Sequence, residues 1–179
     1  MEVIVKRVTD WQRVVDAARL TSNKSSLGRE PNDEWKRKAI KSEHSPIRLL
    51  EFDILLKDIP YWVMVHLVRH KIGCEFFVGT QRDDRTDNEI PRAQKPQGAL
   101  ITMQISCNAQ ALINISRKRL CNKASKETRE LWKMVKDEVT KVDPIVGEAM
   151  VKECIYRGRC NEMQPCGFPK LKHDYYGKD

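Results

Sequence analysis

A single domain of α/β type (α+β), with a mixed central sheet flanked by helices, is the architecture this sequence predicts. Three observations carry that reading. At 179 residues the chain is about one domain long. Short runs that alternate apolar with polar residues interleave with longer runs of helical period. Pro, Gly and polar clusters separate the two kinds of run, with no internal repeat, so strands and helices share one core.

The elements follow in order. Val3 and Val5 alternate against charged neighbours, which predicts a strand over residues 1–8. Asp10 is placed to cap a helix reaching Leu20, with Trp11, Val14 or Val15, and Ala18 on one face. Residues 21–32 are polar, contain Gly28 and Pro31, and read as a loop before a short helix over 33–41. Residues 47–56 predict a long strand, with Leu50, Phe52 and Ile54 opposite Leu49, Glu51 and Asp53. Pro60 suits the first turn of a helix running to about Lys71. A short strand is expected at 75–80, a charged loop containing Pro91 and Pro96 at 83–98, and a strand at 99–106. Asn108 is placed to cap a helix through about Leu120. Ser125 is placed to cap another, with Leu131, Val135 and Val139 at helical spacing. Pro144 opens a last short helix, and the chain from Gly158 is irregular. The expected division is a domain over 1–157 and a Cys-containing tail over 158–179.

Composition narrows the function. Apolar residues at 40% suffice for a core, and charges at 32% are interspersed rather than blocked, which argues against wholesale disorder. A net charge of +8 points to an anionic partner: nucleotide, phosphorylated cofactor, nucleic acid or membrane surface. The longest apolar stretch, 59–68, is interrupted by Pro60 and His66 and is far short of the ~20 residues of a membrane span. The first residues lack the pattern of a signal peptide, so a soluble, cytoplasmic protein is expected. Neither GxGxxG nor GxxxxGK[ST] occurs, which argues against classical dinucleotide and P-loop sites. Of the six cysteines, Cys74, Cys107 and Cys121 read as core thiols. Cys154, Cys160 and Cys166 are evenly spaced near the end with His173 beyond, yet without the CxxC pair usual in zinc sites.

The densest constellation is His66-Leu-Val-Arg69-His70-Lys71, in which His66, Arg69 and His70 share a helix face. Three readings stay open from spacing alone: a solvated basic helix end, a two-His metal grip, and an anion site. The metal reading lacks the Glu of HExxH and sets an Arg and a Lys beside the ion. Downstream, Thr80-Gln81-Arg82 suits a phosphate or pyrimidine edge, Arg92 sits in the Pro-rich loop, and Asn108, Ala111, Ile115 and Arg119 fall along one side of a helix. Asn108 and Asn114, polar residues at the two ends of an apolar stripe, are of a kind that is more often a cap and a satisfied core amide than a ligand.

In this order these pieces resemble the flavin-dependent thymidylate synthases. That family carries Arg-His-Arg at a helix end and Ser-x-Arg shortly after. Here Arg69-His70-Lys71 is followed, after eight residues, by Thr80-Gln81-Arg82. Ala17-Ala18-Arg19-Leu20-Thr21 is similar to the family's Ala-Ala-Arg-x-Ser, and Ser45-Pro46 to its Ser/Thr-Pro pair. Arg92 stands four residues before Pro96, as a family Arg does before a Pro. Asn108-Ala-Gln-Ala-Leu-Ile-Asn114 and Arg119 follow its Asn-Ala-Arg-x-Leu-x-Asn helix, and Ala124-Ser-Lys-Glu-Thr-Arg129 its next one. The likeness spans roughly residues 10–145. The departures are Lys71 for Arg, Thr80 for Ser one residue late, Gln110 for Arg, Arg48-Leu49 for Glu-His, a missing Asn-Glu before Thr80, and a shortened Arg82–Arg92 connection.

The resemblance implies a homotetramer with FAD where subunits meet. Arg69, His70 and Lys71 would contact the flavin, with Asn108, Asn114 and, more weakly, Thr21 at the same cofactor. Thr80, Arg82 and Arg92 would hold dUMP, and His66 occupies a nucleotide-contacting position. Arg119 would lie against the uracil ring and stabilise charge developing there, as the catalytic group. The implied reaction is reductive methylation of dUMP to dTMP, with NADPH reducing the flavin and methylenetetrahydrofolate supplying the carbon. The rival readings are an enzyme acting on another pyrimidine nucleotide, a non-catalytic basic nucleic-acid-binding protein, and a metal enzyme using His66 and His70 or Cys154 to Cys166. Aromatic residues at 7% and the lack of a stacking motif argue against the nucleic-acid reading.

Overall fold

The computed structural model describes residues 1–87 and 89–168. Its described elements are four strands, β1 (Glu2–Arg7), β2 (Glu51–Pro60), β3 (Cys74–Val78) and β4 (Leu100–Asn108), and seven α-helices. The helices are α1 (Trp11–Leu20), α2 (Asp33–Lys41), α3 (Tyr61–Leu67), α4 (Ala109–Arg119), α5 (Lys126–Val142), α6 (Pro144–Ala149) and α7 (Glu153–Arg157). The α+β domain expected from the sequence is what the chain forms. The sheet, expected to be mixed, is antiparallel at every pairing, in the order β1-β2-β4-β3. β2 and β3 run parallel to each other with β4 between them, so β2, α3 and β3 form a split β-α-β crossover although every hydrogen-bonded pair is antiparallel.

One face of the sheet carries the core. Phe52, Ile54, Leu56 and Ile59 of β2 and Ile101, Met103, Ile105 and Cys107 of β4 are buried in alternation. Strict alternation would turn Asp58 inward. A bulge between Leu56 and Ile59, with Asp58 at φ 54°, admits one extra residue and keeps Ile59 in the core. Trp11 and Val14 of α1, Leu112 and Ile115 of α4, and Leu131, Trp132, Val135 and Val139 of α5 complete the core. Its buried indoles are satisfied: Trp132 donates to Ser116 Oγ at 2.9 Å, and Trp11 to Asp143 Oδ2 at 2.7 Å.

Asp10 accepts from the Arg13 amide and Asn108 from the Ala111 amide, as the capping pattern predicts. The strand expected over 47–56 starts later. Residues Ser45–Leu49 instead form a 3₁₀ turn, because Pro46 lacks the amide that a ladder needs. Pro60 ends β2 rather than lying inside a helix, and α3 stops at Leu67, short of Lys71. Ser125 precedes α5 without capping its backbone; its hydroxyl donates to Thr128 Oγ1 at 2.8 Å. Helix α7 was not foreseen, and residues 158–168 have neither helix nor strand. The end of the tail, His173 included, lies outside the described residues. Among the described residues no helix is long and apolar enough to cross a membrane.

Candidate functional site

The end of α3, the end of α4 and the start of α5 meet at one point, and four of the sequence-predicted residues come with them. Arg119, on the last turn of α4, donates from Nε to His70 Nε2 at 2.8 Å and from Nη2 to the His66 carbonyl at 2.6 Å. The guanidinium thereby satisfies a carbonyl left over at the end of α3. His66 Nδ1 lies 3.0 Å from Thr128 Oγ1 of α5. The same hydroxyl accepts from Ser125 Oγ at 2.8 Å. The edge of Trp62 meets the His66 ring at a centroid distance of 5.7 Å.

Like charges meet at this point. His70 is pulled from its ordinary 6.5 to about 4, first by burial, then by the charges of Arg119 and Arg69. Arg119 is itself lowered, first by burial and then by Arg69. Both shifts mean that positive charges crowd a partly dry place, which an anion or a polarised carbonyl relieves. His70 is neutral at neutral pH. Its Nε2 accepts from Arg119, so its proton is on Nδ1, and the ring is a donor on that side. The two-His metal reading loses ground, because both rings are already engaged. Among the described residues no three His, Cys, Asp or Glu side chains stand close enough together to hold a metal ion.

Asn108 belongs to the same end of the sheet. Its amide donates to the Gly73 carbonyl, and its side chain lies directly over Gly73, two residues beyond Lys71. Gly73 sits at φ +74°, and a Cβ there would come within 2.6 Å of Asn108 Nδ2. The turn after Lys71 therefore requires glycine on two grounds. Lys71 is exposed.

A second group forms on the loop after β3. Arg82 pairs with Asp84 through Nε and Nη2, at 2.8 and 2.5 Å, and its amide donates to Thr80 Oγ1 at 3.2 Å. The Arg92 amide donates to Asp83 at 3.0 Å, which draws Arg92 back to the same loop. Thr80, Arg82 and Arg92 are thus neighbours, all exposed. Within one chain no hydrogen bond or ion pair among those described joins this group to Arg119.

Two predicted residues stand elsewhere. Asn114 is on another side of α4, where its Oδ1 accepts from Gln110 at 3.2 Å and Arg117 at 3.2 Å. Thr21 caps α1 at its end, donates to the Ala18 carbonyl at 2.8 Å, and lines a basic cavity of about 1020 Å³ with Arg19, Lys38 and Lys41. Sequence reasoning missed Thr128 and Ser125 as the support of His66. Their only sequence signal is the pair of hydroxyls three residues apart at a helix start.

A search of curated proteins by sequence finds no match. A family model described as thymidylate synthase complementing protein matches residues 80–145, from the Thr80 loop to the start of α6. Among solved structures, flavin-dependent thymidylate synthase ThyX from Helicobacter pylori, complexed with FAD and dUMP, matches with a TM-score of 0.70 at 20% identity. The match covers 85% of this chain and 100% of that one. The chain has the fold of the flavin-dependent thymidylate synthases. A UMP/dUMP methylase, PolB from Streptomyces cacaoi, bound with 5-Br dUMP, shares that fold at a TM-score of 0.66 and 17% identity, over 85% of this chain and 98% of that one.

Proposed function

We propose that this protein is an FAD-dependent enzyme that reductively methylates dUMP to dTMP, with NADPH and methylenetetrahydrofolate as co-substrates. The observation that carries the reading is the junction of Arg119, His70 and Arg69, a crowded cationic point built on this fold. Its residues fit the cofactor by their chemistry. Arg69 and Arg119 supply positive charge, His70 supplies a neutral N–H donor, and the Gly73 turn under Asn108 gives close backbone approach. When bound, FAD supplies hydride transfer.

The chain's own residues bind and orient. Arg119 is held from two sides, so its charge is fixed in place before any ligand arrives. Against a uracil ring that fixed charge favours negative charge developing on the pyrimidine, without reorganisation at the moment of reaction. Thr80, Arg82 and Arg92 present a hydroxyl and two guanidiniums for the nucleotide phosphate. Asp84 competes for Arg82, and phosphate binding has to displace it.

A complete site needs more than one chain, and we read the assembly as a homotetramer. Two observations support this. The two cationic groups are not joined within a chain, and apolar side chains beside them are uncovered. Ile72 is 91% exposed, Phe77 60% and Leu100 61%.

The test is an absorbance spectrum of the purified protein with and without FAD and dUMP, followed by assay of dTMP formation. Bound flavin perturbed by dUMP, and product formation abolished in a folded Arg119→Ala protein, are the expected results. A colourless protein with no affinity for added FAD overturns the proposal, and full activity in Arg119→Ala overturns the role given to that residue. The neighbouring UMP/dUMP methylase keeps UMP as the second reading of the substrate, and product formation from UMP rather than dUMP would select it.

A further inference from the structure

Of the three cysteines expected in the core, Cys121 is only half-buried, whereas Cys74 and Cys107 are buried and stand opposite each other. Cys74 opens β3, an edge strand, and Cys107 lies near the end of β4. The kind of pairing follows from the ladder. The Asn108 amide donates to the Gly73 carbonyl at 3.1 Å, and the Gly79 amide to the Thr102 carbonyl at 2.8 Å. Gly73–Asn108 and Gly79–Thr102 are therefore backbone-bonded positions, and bonded and non-bonded pairs alternate between them. Counted inward from either end, Cys74–Cys107 is a non-bonded pair. At such a pair the Cα atoms are about 4.5 Å apart and both side chains leave the same face of the sheet. That spacing is inside the range of about 4.4–6.8 Å that a disulfide spans.

The side chains use this proximity. The two thiols share a hydrogen bond, which draws Cys74 below the ordinary thiol value and, together with burial, pushes Cys107 well above it. The pair is thus unequal: Cys74 is the readier nucleophile, and Cys107 keeps its proton. Cys74 is also the one at the sheet edge, directly after the exposed Ile72 and a glycine with no side chain to cover it. The proposed reaction uses neither thiol.

We propose that Cys74 and Cys107 are a redox-modification site, at which a hydroperoxide forms a cross-strand disulfide that locks the turn at Gly73 under Asn108. With hydrogen peroxide, the Cys74 sulfur attacks one peroxide oxygen, the O–O bond breaks, and hydroxide leaves and takes up the Cys74 proton as water. The Cys107 sulfur then attacks the sulfenic sulfur of Cys74. The S–O bond breaks, and the departing hydroxide takes up the Cys107 proton as a second water. Two thiols give up two electrons, and the peroxide gains them. Strand pairing already sets the backbone spacing, so no loop has to move. The new bond pins the edge strand to β4 beside the Gly73–Asn108 pair, and the turn after Lys71 is held shut while it stands.

The test is to treat the reduced full chain with hydrogen peroxide, alkylate it, digest it and map the peptides by mass spectrometry. A peptide pair joined through Cys74 and Cys107 is expected, lighter than the two thiol peptides by two hydrogens and separated again by a dithiol reductant. In Cys107→Ala, which cannot close the bond, dimedone should label a sulfenic acid at Cys74 about tenfold more than in the unmodified protein. Hydrogen exchange at the Asn108 amide should slow by about tenfold in the oxidised protein. Recovery of Cys74 and Cys107 as free thiols, at a peroxide excess that oxidises the exposed Cys160 and Cys166, overturns the proposal. So does overoxidation of Cys74 without a link. An unchanged Asn108 exchange rate in the linked protein overturns the lock. If Cys107→Ala fails to fold, the peptide map of the unmodified protein decides alone. No readout involves flavin, so failure here is separable from failure of the flavin reading.

Discussion

Acidification from neutral pH to about pH 4 tests the environment assigned to His70. Its proton affinity is depressed in the folded chain, from 6.5 to about 4, by burial and then by Arg119 and Arg69. Between those two values the unfolded chain binds a proton that the folded chain refuses. Stability is therefore lost as pH falls through that window, and the loss levels off below about pH 4. At about 1.36 kcal/mol per decade of proton concentration, the full gap sets a ceiling near 3 kcal/mol. The ring is only half-buried, and solvent screening discounts this to about 1–2 kcal/mol. The assay is urea unfolding of the unmodified protein and of His70→Gln at a series of pH values, the difference isolating His70 from other acid-sensitive groups. The unmodified protein should lose about 1–2 kcal/mol more than the variant across the window. Proton resonances of the His70 ring should place its midpoint near 4, and Arg119→Gln should raise that midpoint without restoring 6.5, because burial is the larger cause. A His70 that titrates near 6.5 in the unmodified protein refutes the reasoning.

Two further substitutions probe the supports of the site and the fold. Gly73→Ala forces a side chain into the left-handed region, at about 1–2 kcal/mol, and displaces Asn108 from the Ala111 amide, at about 1 kcal/mol more. Thermal unfolding should show that loss, and flavin titration should show weakened binding; unchanged values in both would remove Asn108 from the proposed site. Asp143→Ala strips the buried Trp11 indole of its acceptor at 2.7 Å, the α6 amide of Val146 of its cap at 3.0 Å, and Arg7 of its ion-pair partner. Denaturant unfolding should register a loss of about 3–4 kcal/mol, and one below about 1 kcal/mol would mean that other groups satisfy these donors.

Helices with a local signal were legible before the structure. Asp10 and Asn108 are side-chain caps, and the spacing of Leu131, Val135 and Val139 is a stripe that must face a core. What escaped depends on partners distant in sequence. Leu50 is buried whether it ends a 3₁₀ turn or continues a strand, so alternation could not place the start of β2. The Asp58 bulge is visible only once Ile59 is paired with Ile101. Ser125 has the residue type of a cap, but its hydroxyl is drawn to Thr128, which faces His66 across 62 positions. The motif order indicated the candidate site residues, yet nothing local in the sequence says that Arg119 bonds to His70 while Asn114 turns away from both.

The position of Asn114 bears on how the proposed flavin site distributes its contacts. Gln110, where the resembling family has Arg, donates to Asn114 and to Glu43. Glu43 also accepts from Arg117 and from Tyr156, and Arg117 stacks on the Tyr156 ring with 3.4 Å to its centroid. Burial acts to raise the Glu43 carboxyl, but the Tyr156 hydroxyl and the Arg117 guanidinium outweigh it and hold it below the ordinary carboxylate value. On this side of α4 the cation, Arg117, therefore already has its carboxylate, although its buried Nε has no hydrogen-bond partner. The network ties α4 to α7, just ahead of a cavity lined by Cys121, Cys154, Cys160 and Cys166. A cofactor phosphate gains little from a guanidinium that is neutralised and 8% exposed. The cationic demand of an anionic ligand then falls on Arg69 and Arg119, which repel each other. The two sides of α4 thus differ: one fastens the C-terminal region to the domain through the Glu43–Arg117–Tyr156 network, and the other carries the charge of Arg119.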